Sequence, residues 1–309
     1  MGKSNISDAV NVVYIAGTGR SGSTVLQRVL SKAKDIIEVG ELRHIWIRGL
    51  LENQLCGCNK RFNSCDFWGA VIEEAFPGLS NEEILNRVTP YLDLFDFRTL
   101  FRAGTERTRK RISNFCKFFL FPLYSSISLN SSGKIIMDSS KTPAYLFLLQ
   151  NCPGINLKVI HLVRDSRAIA FSWKKRKLRP EIVGKLTDMP QLSIYRSASM
   201  WLLSNMAIEI LKNNIKFQYC RVLYEDFVGN PAYSVRTLLD FIGIREDPDK
   251  FVSEGKVILE PAHSVSGNPM RFDRGSVILR SDDLWRDKMN SYDKLIVFLM
   301  TWPLLFHYY

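Results

Sequence analysis

No stretch of this chain reaches the ~18–20 uninterrupted apolar residues that a membrane-spanning helix needs. The nearest, Phe115 to Leu123, is short and broken by Lys117 and Pro122, and it reads as a buried or interfacial helix end. Met1 to Val10 is polar and lacks the apolar core of a secretion signal, so the expected location is cytoplasmic. No recognised nucleic-acid motif occurs, and the basic residues are scattered, so no nucleic-acid partner is expected. No internal repeat or low-complexity tract stands out, and nothing in the sequence sets an oligomeric state.

Cysteine is scarce as well. Of six, three share one window, Cys56, Cys58 and Cys65 in CGCNKRFNSC. A reducing cytosol argues against a disulfide framework. The spacing is not a usual zinc pattern and no second Cys-x-x-Cys half appears. Structural thiols are therefore expected ahead of a metal site, which would need a fourth ligand such as His44; a reversible disulfide is a third option. No metal is expected.

What is present is an ordinary globular composition, 46% hydrophobic and 24% charged over 309 residues, with a formal net charge of +11. One large α/β domain spanning residues 1–309 fits that length. The positive excess favours anionic ligands. A nucleotide with several phosphates accounts for part of it, and a solvated surface or peripheral contact with an acidic membrane for the rest.

Strand and helix patterns alternate. Asn11 to Ala16 (NVVYIA) reads as a buried parallel strand and Ser23 to Ala33 as a helix. A short second strand is expected over Asp35 to Val39, then Lys134 to Met137 and Lys158 to Val163 as strands, with helices from Pro143 to Gln150 and from about Ser166. A long helix over Gln191 to Asn213, a strand over Phe217 to Leu223 and a helix over Pro231 to Ile242 complete the pattern. Such units build a P-loop-type central parallel sheet flanked by helices. From about 46 to 130 the alternation lapses, which predicts a largely helical insertion or cap that shapes the acceptor site. Within it, the aromatic and basic stretch from Arg107 to Tyr124 suits plain packing or the cover of an amphiphilic acceptor.

Between the first strand and helix lies GTGRSGST, Gly17 to Thr24. Its spacing is that of a phosphate-binding loop at a helix N-terminus, where free amides converge on an anion. Yet Ser23 stands where an ATP-binding loop carries lysine, and Arg20 is the only cation. A second informative stretch is VIHLVRDSRAIAFSW, in which Ser172 follows the strand-end Arg164 by eight residues. An arginine fork and a hydroxyl so placed suit one further phosphate. In parallel sheets ligands bind at the carboxyl ends of strands, so the loop, Asp138 to Lys141, Arg164 and Tyr224 are expected on one rim.

Together these motifs resemble sulfotransferases that use 3′-phosphoadenosine-5′-phosphosulfate (PAPS), in a bacterial, carbohydrate-sulfotransferase-like branch. GTGRSGST is similar to the family's 5′-phosphosulfate loop, LVRDSRAIAFSW to its 3′-phosphate segment, and LYEDFVGNP to its Tyr-Glu-Asp block. GELRHIW, CGC…CDFW, MDSSKTP, GNPMRF, DDLWR and TWPLL extend the likeness over nearly the whole chain. The resemblance implies that Ser21, Gly22, Ser23 and Thr24 cradle the 5′-phosphosulfate and that Arg20 replaces a catalytic lysine. Arg164 and Ser172 would hold the 3′-phosphate, and Tyr224 would approach adenine. Arg271 and Arg274 are equal candidates for the family's C-terminal basic contact.

The histidine base of many relatives is missing here, since Pro143 follows Lys141-Thr142. The resemblance to carbohydrate-type branches makes Glu41 the candidate base, provided its pKa is raised, with His44 as its backup. Lys141 would supply a second cation near the leaving group, with Asp138 orienting it. The implied acceptor is a sugar, glycolipid or other small-molecule hydroxyl. Competing readings are a P-loop kinase or NTPase, with Asp138 as its magnesium ligand, and a non-catalytic nucleotide-binding protein.

Overall fold

The computed structural model describes residues 9–184, 187–213 and 216–309; residues 1–8 of the polar start lie outside the described residues. The chain opens with β1 (Val10–Gly17), α1 (Ser23–Leu30) and β2 (Ile36–Gly40). The excursion carries α2 (Asp66–Ala75), α3 (Asn81–Val88), α4 (Arg98–Arg102), α5 (Glu106–Phe115) and α6 (Phe121–Asn130). Then come β3 (Ile135–Lys141), α7 (Pro143–Gln150), β4 (Ile155–Val163), α8 (Ser166–Lys174), α9 (Ile194–Lys212) and β5 (Gln218–Leu223). The remainder is α10 (Tyr224–Gly229), α11 (Pro231–Ile242), β6 (Val252–Ser253), β7 (Lys256–Leu259), β8 (Gly275–Ile278), α12 (Leu284–Lys288) and α13 (Ser291–Tyr308).

Five strands form one parallel sheet in the order β2-β3-β1-β4-β5. The sequence dictates the central place of β1. Val12 to Ala16 are all apolar and at most 1% exposed, a pattern that suits only a strand covered on both faces. Val12 sits opposite Ile136 on one side and Leu157 on the other.

Each face of the sheet buries its own core. On one, Val12, Tyr14 and Val159 meet the helices of the excursion. Trp46 is fully buried there, its ring 6.0–6.3 Å from those of Phe76, Phe115 and Phe119. Residues 46–130 therefore act as a covering helical layer as well as an insertion. The Arg107–Tyr124 stretch divides accordingly, with Phe115, Phe119 and Tyr124 inside and Lys117 and Phe118 outside. On the other face α1 and α11 pack on Val13, Ile15 and Ile160. Among the described residues no helix is long and apolar enough to cross a membrane.

Several boundaries differ from the sequence reading; β4, for instance, begins three residues early, at Ile155. β3 runs on through Asp138 to Lys141, because the buried Asp138 carboxylate accepts from the Ser140 amide and hydroxyl at 2.8 and 2.6 Å and anchors the polar end of the strand. Asp138 thus bonds Ser140, Tyr124 and the Leu42 amide and does not orient Lys141. α1 stops at Leu30, and α9 starts at Ile194, where Ser193 caps the Arg196 amide.

The segment from 260 to 273 returns across the first helix as a strap. Arg28, 2% exposed, fixes it by donating to the carbonyls of Glu260, Met270 and Asp273 at 2.6–2.8 Å. Glu38 lies 3.7 Å from Arg28. Burial raises its carboxyl from 4.5 to about 7, against the opposing pull of Arg28. The folded protein then holds a proton that the unfolded chain releases above its ordinary value. Stability from this group is complete below about pH 4.5 and is lost as pH rises through about 7, by on the order of 2–3 kcal/mol. Glu38→Gln should flatten that part of a urea-denaturation pH profile; Asp138, raised to about 6 chiefly by burial, adds to the remaining slope, and His161, lowered to about 4 by burial, opposes it.

Candidate active site

All five strand ends of the sheet contribute to one cavity of about 570 Å³, a size suited to a nucleotide and part of a second substrate. The glycine loop follows β1, Glu41 follows β2, Lys141 ends β3, Arg164 follows β4 and Tyr224 follows β5. Six Lys or Arg line it against two carboxylates, Glu41 and Asp282. Such a surplus in one concave site selects an anion.

The loop is built for that anion. α1 begins at Ser23, so its first-turn amides lack intrahelical partners and open on the cavity. Gly22 precedes them at φ 95, and a Cβ there would lie 2.4 Å from the Tyr224 ring; only glycine admits both the turn and the tyrosine. Arg20 has φ 71 and all three guanidinium nitrogens buried without a hydrogen-bond partner. Its carbon rests 4.8 Å from the centre of the Trp173 ring, whose face holds the cation in place. The Ser21 hydroxyl is likewise buried and unpartnered.

A second basic subsite lies beyond. Arg164 stacks 4.4 Å from the Tyr224 ring centre and donates to the Arg20 carbonyl at 3.2 Å. Its Nε is buried without a partner. Ser172 reaches the same cavity from α8, with Trp173 and Lys177 beside it. One face of the tyrosine ring is thus occupied by a cation, and the ring in turn braces the loop.

At the opposite side stands an ion pair. Lys141 Nζ donates to Glu41 Oε1 at 2.6 Å and to the Ser139 carbonyl at 3.0 Å. Burial alone would push the Glu41 carboxyl up, but Lys141, His44 and Arg43 outweigh it and bring it to about 2. The expected rise is therefore reversed. His44 Nε2 lies 3.5 Å from Glu41 Oε2, and burial, with Arg43, holds that imidazole well below its usual range. The carboxylate is ionised and the histidine neutral, but the carboxylate's lone pairs are engaged by lysine.

Several anticipated residues lie elsewhere. Arg271 is 2% exposed and donates to the carbonyls of Ser264 and Leu55 at 2.6 and 2.8 Å, away from the cavity lining. Arg274 is exposed and outside the lining too. Beside the three cysteines stands His263, not His44. Conversely, Trp173, Lys177, Arg43, Arg48 and Asn268 line the cavity without having been anticipated as site residues. Trp173 was within reach, since it directly follows Ser172 on α8.

A model of the sulfotransferase family matches residues 13–248. The chain belongs to that family. Among solved structures, a sulfotransferase domain from the curacin biosynthetic pathway is 15% identical with a TM-score of 0.52, covering 95% of this chain and 98% of that one. The sulfotransferase domain of the Synechococcus PCC 7002 olefin synthase is 18% identical, with a TM-score of 0.48 and 96% of each chain covered. Sulfotransferase STF9 from Mycobacterium avium is 14% identical, with a TM-score of 0.40 over 76% of this chain and 64% of that one. No curated protein matches. At these identities the curacin-pathway domain attests the fold alone.

An unpaired buried cation destabilises a sulfotransferase that holds no ligand. Millimolar phosphate should therefore raise the melting temperature of the native chain more than that of Arg20→Ala. Without added anion, Arg20→Ala should be the more stable protein by about 1–2 kcal/mol. The comparison between the two proteins cancels general salting effects and is read by calorimetry.

Proposed function

We propose that this sulfotransferase moves a sulfuryl group from PAPS to an acceptor hydroxyl. The observation that carries this reading is the unpaired Arg20 guanidinium at the glycine loop, with a second basic subsite, Arg164 and Ser172, in the same cavity. A donor with two separated anionic groups matches that pairing. The amides and hydroxyls of Ser21, Gly22, Ser23 and Thr24 would bind the 5′-phosphosulfate. Arg164 and Ser172 would take the 3′-phosphate, and Tyr224 would border the adenine. Asp138 is fully buried and outside the cavity lining, which removes the magnesium-binding feature on which a kinase reading leaned.

In the proposed reaction the acceptor oxygen attacks sulfur as the bond from sulfur to the 5′-phosphate oxygen breaks. That oxygen keeps the bonding pair, and adenosine 3′,5′-bisphosphate leaves. Arg20, Lys141 and the loop amides would stabilise the charge growing there, an electrostatic role that needs no proton donor. Glu41 would take the acceptor's proton. Its low pKa is set chiefly by Lys141, so the base would be unmasked if Lys141 turned from carboxylate to donor. Burial then acts unopposed by that lysine, and the carboxyl rises toward a useful basicity. Neutral His44 stands next to it as the onward acceptor of the proton.

The cavity lining also includes the apolar Phe95, Phe97, Met189 and Met200. These side chains support a sugar hydroxyl attached to an apolar portion, as in a glycolipid or similar small molecule. Neither a nucleic acid nor a protein acceptor is called for.

Two measurements test the reading. The native chain should bind adenosine 3′,5′-bisphosphate more tightly than the 5′-monophosphate by about 100-fold, and Arg164→Ala should shrink that ratio below about 10, read by isothermal titration. Equal affinities in the native chain would remove the 3′-phosphate subsite and with it the donor. Glu41→Gln should lower the rate of labelled-sulfate transfer from PAPS to a fractionated extract by about 10²–10⁴-fold. Bisphosphate affinity should stay within about 3-fold of native or tighten, since Lys141 loses its internal partner. Unchanged transfer would sink the base assignment.

A further inference from the structure

Outside the active-site cavity the chain gathers three thiols and an imidazole that the proposed reaction does not use. The ligand atoms of Cys56, Cys58, Cys65 and His263 all lie within 4.8 Å of one another. Cys58 Sγ is 3.7 Å from Cys65 Sγ, and His263 Nδ1 is 3.2 Å from Cys65 Sγ and 4.0 Å from Cys56 Sγ. A tetrahedral zinc with Zn–S of about 2.3 Å and Zn–N of about 2.0–2.1 Å has S–S edges near 3.8 Å and S–N edges near 3.6 Å. The observed separations straddle those edges. The span is too small to admit an iron–sulfide cluster between the thiolates.

We propose that Cys56, Cys58, Cys65 and His263 bind one structural zinc ion. The local chain is shaped to present them. Leu55 and Arg61 pair as an antiparallel bridge, and between them the Cys56 amide donates to the Lys60 carbonyl and the Asn59 amide to the Cys56 carbonyl at 2.9 and 2.8 Å. This knuckle, with Asn59 at φ 71, turns both of its thiols to one side. Cys65 occupies the position that precedes α2, at the helix N-terminus, where a thiolate is favoured. A Cβ on Gly57 would lie 2.6 Å from the Ala262 carbonyl oxygen, so glycine lets the strap carrying His263 come close.

Support around the ligands is also present. The Phe67 ring stacks on the His263 ring at 4.8 Å, and Trp68 donates to the His263 carbonyl at 3.0 Å. All six cysteines are free. Cys58 and His263 are only half-buried, which gives the ion access from solvent. Binding displaces the three thiol protons to solvent and leaves His263 neutral, ligating through Nδ1. Cys₃His with no open position is a closed set, so the ion holds structure and performs no chemistry.

What it holds is the strap. The Gly57 amide bonds the Ser264 carbonyl at 3.0 Å, and one residue on, the Glu41 amide bonds the Val265 carbonyl at 2.7 Å. Gly267 and Asn268 then line the active-site cavity. Zinc thus ties the knuckle and α2 to the segment that positions the candidate base.

The full-length chain, purified untagged under reducing conditions, should contain about one zinc per molecule by elemental mass spectrometry. Cobalt exchange should give the intense visible bands of a tetrahedral thiolate site. His263→Ala should weaken zinc affinity by about 100-fold or more. His263→Cys should retain both metal and cobalt bands, which separates ligand loss from misfolding. Substoichiometric metal with no cobalt bands in the reduced native chain would overturn the proposal. So would a Cys58–Cys65 disulfide mapped in that chain, or unchanged zinc affinity in His263→Ala.

Discussion

The cavity is organised around a guanidinium that burial leaves without a counter-ion. Placing Arg20 there costs the fold desolvation free energy, about 1–2 kcal/mol net, and its backbone sits in the left-handed region as well. Both costs are met by packing. Trp173 supports the cation from below, and the Arg164 fork grips the Arg20 carbonyl. Tyr224 wedges against Gly22. The result is a positive charge that does not have to reorganise when an anion arrives. Such preorganisation is what electrostatic catalysis of group transfer requires.

The second constraint is a contest for Lys141. Glu41 holds it in an ion pair, and the carboxylate is correspondingly a poor base. Any anion placed between Arg20 and Lys141 competes with Glu41 for the ammonium group. In the proposed reaction the same lysine would serve both, so donor binding would release the Glu41 carboxylate. The cation surplus thus acts on the Glu41 carboxyl as well as on any anion that enters the cavity.

Much of this was legible in the sequence, and for a physical reason. A parallel sheet exposes polar residues only where strands end, so each apolar run followed by a polar group marks a rim position. Gly17 to Thr24, Lys141, Arg164 and Tyr224 were all found that way. Long-range pairings left no such mark. Nothing in CGCNKRFNSC says that its imidazole lies 198 residues beyond Cys65, at His263, and His44 was the nearer guess. Arg271 carried the right charge in a suggestive motif, yet its guanidinium is spent on two backbone carbonyls. The sign of the Glu41 shift was equally hidden. It depends on Lys141 standing 2.6 Å away across a gap of one hundred residues.

The strap from 260 to 273 explains why those hidden pairings matter. It has little secondary structure of its own, so its path must be fixed by side chains. Arg28 grips it from α1 and Arg271 from within, each satisfying carbonyls that would otherwise be buried unpaired. Between these clamps the Val265 carbonyl receives the Glu41 amide, and Asn268 donates its amide to the Thr24 hydroxyl at 3.4 Å. A single irregular segment therefore touches both the anion-binding helix and the residue after β2. Loosening it would shift the donor cradle and the candidate base relative to each other, and transfer depends on that relative placement to a fraction of an ångström. Rigid anchors at both ends, including the thiol and imidazole cluster at Cys56, Cys58, Cys65 and His263, are what allow an irregular segment to hold so exact a position.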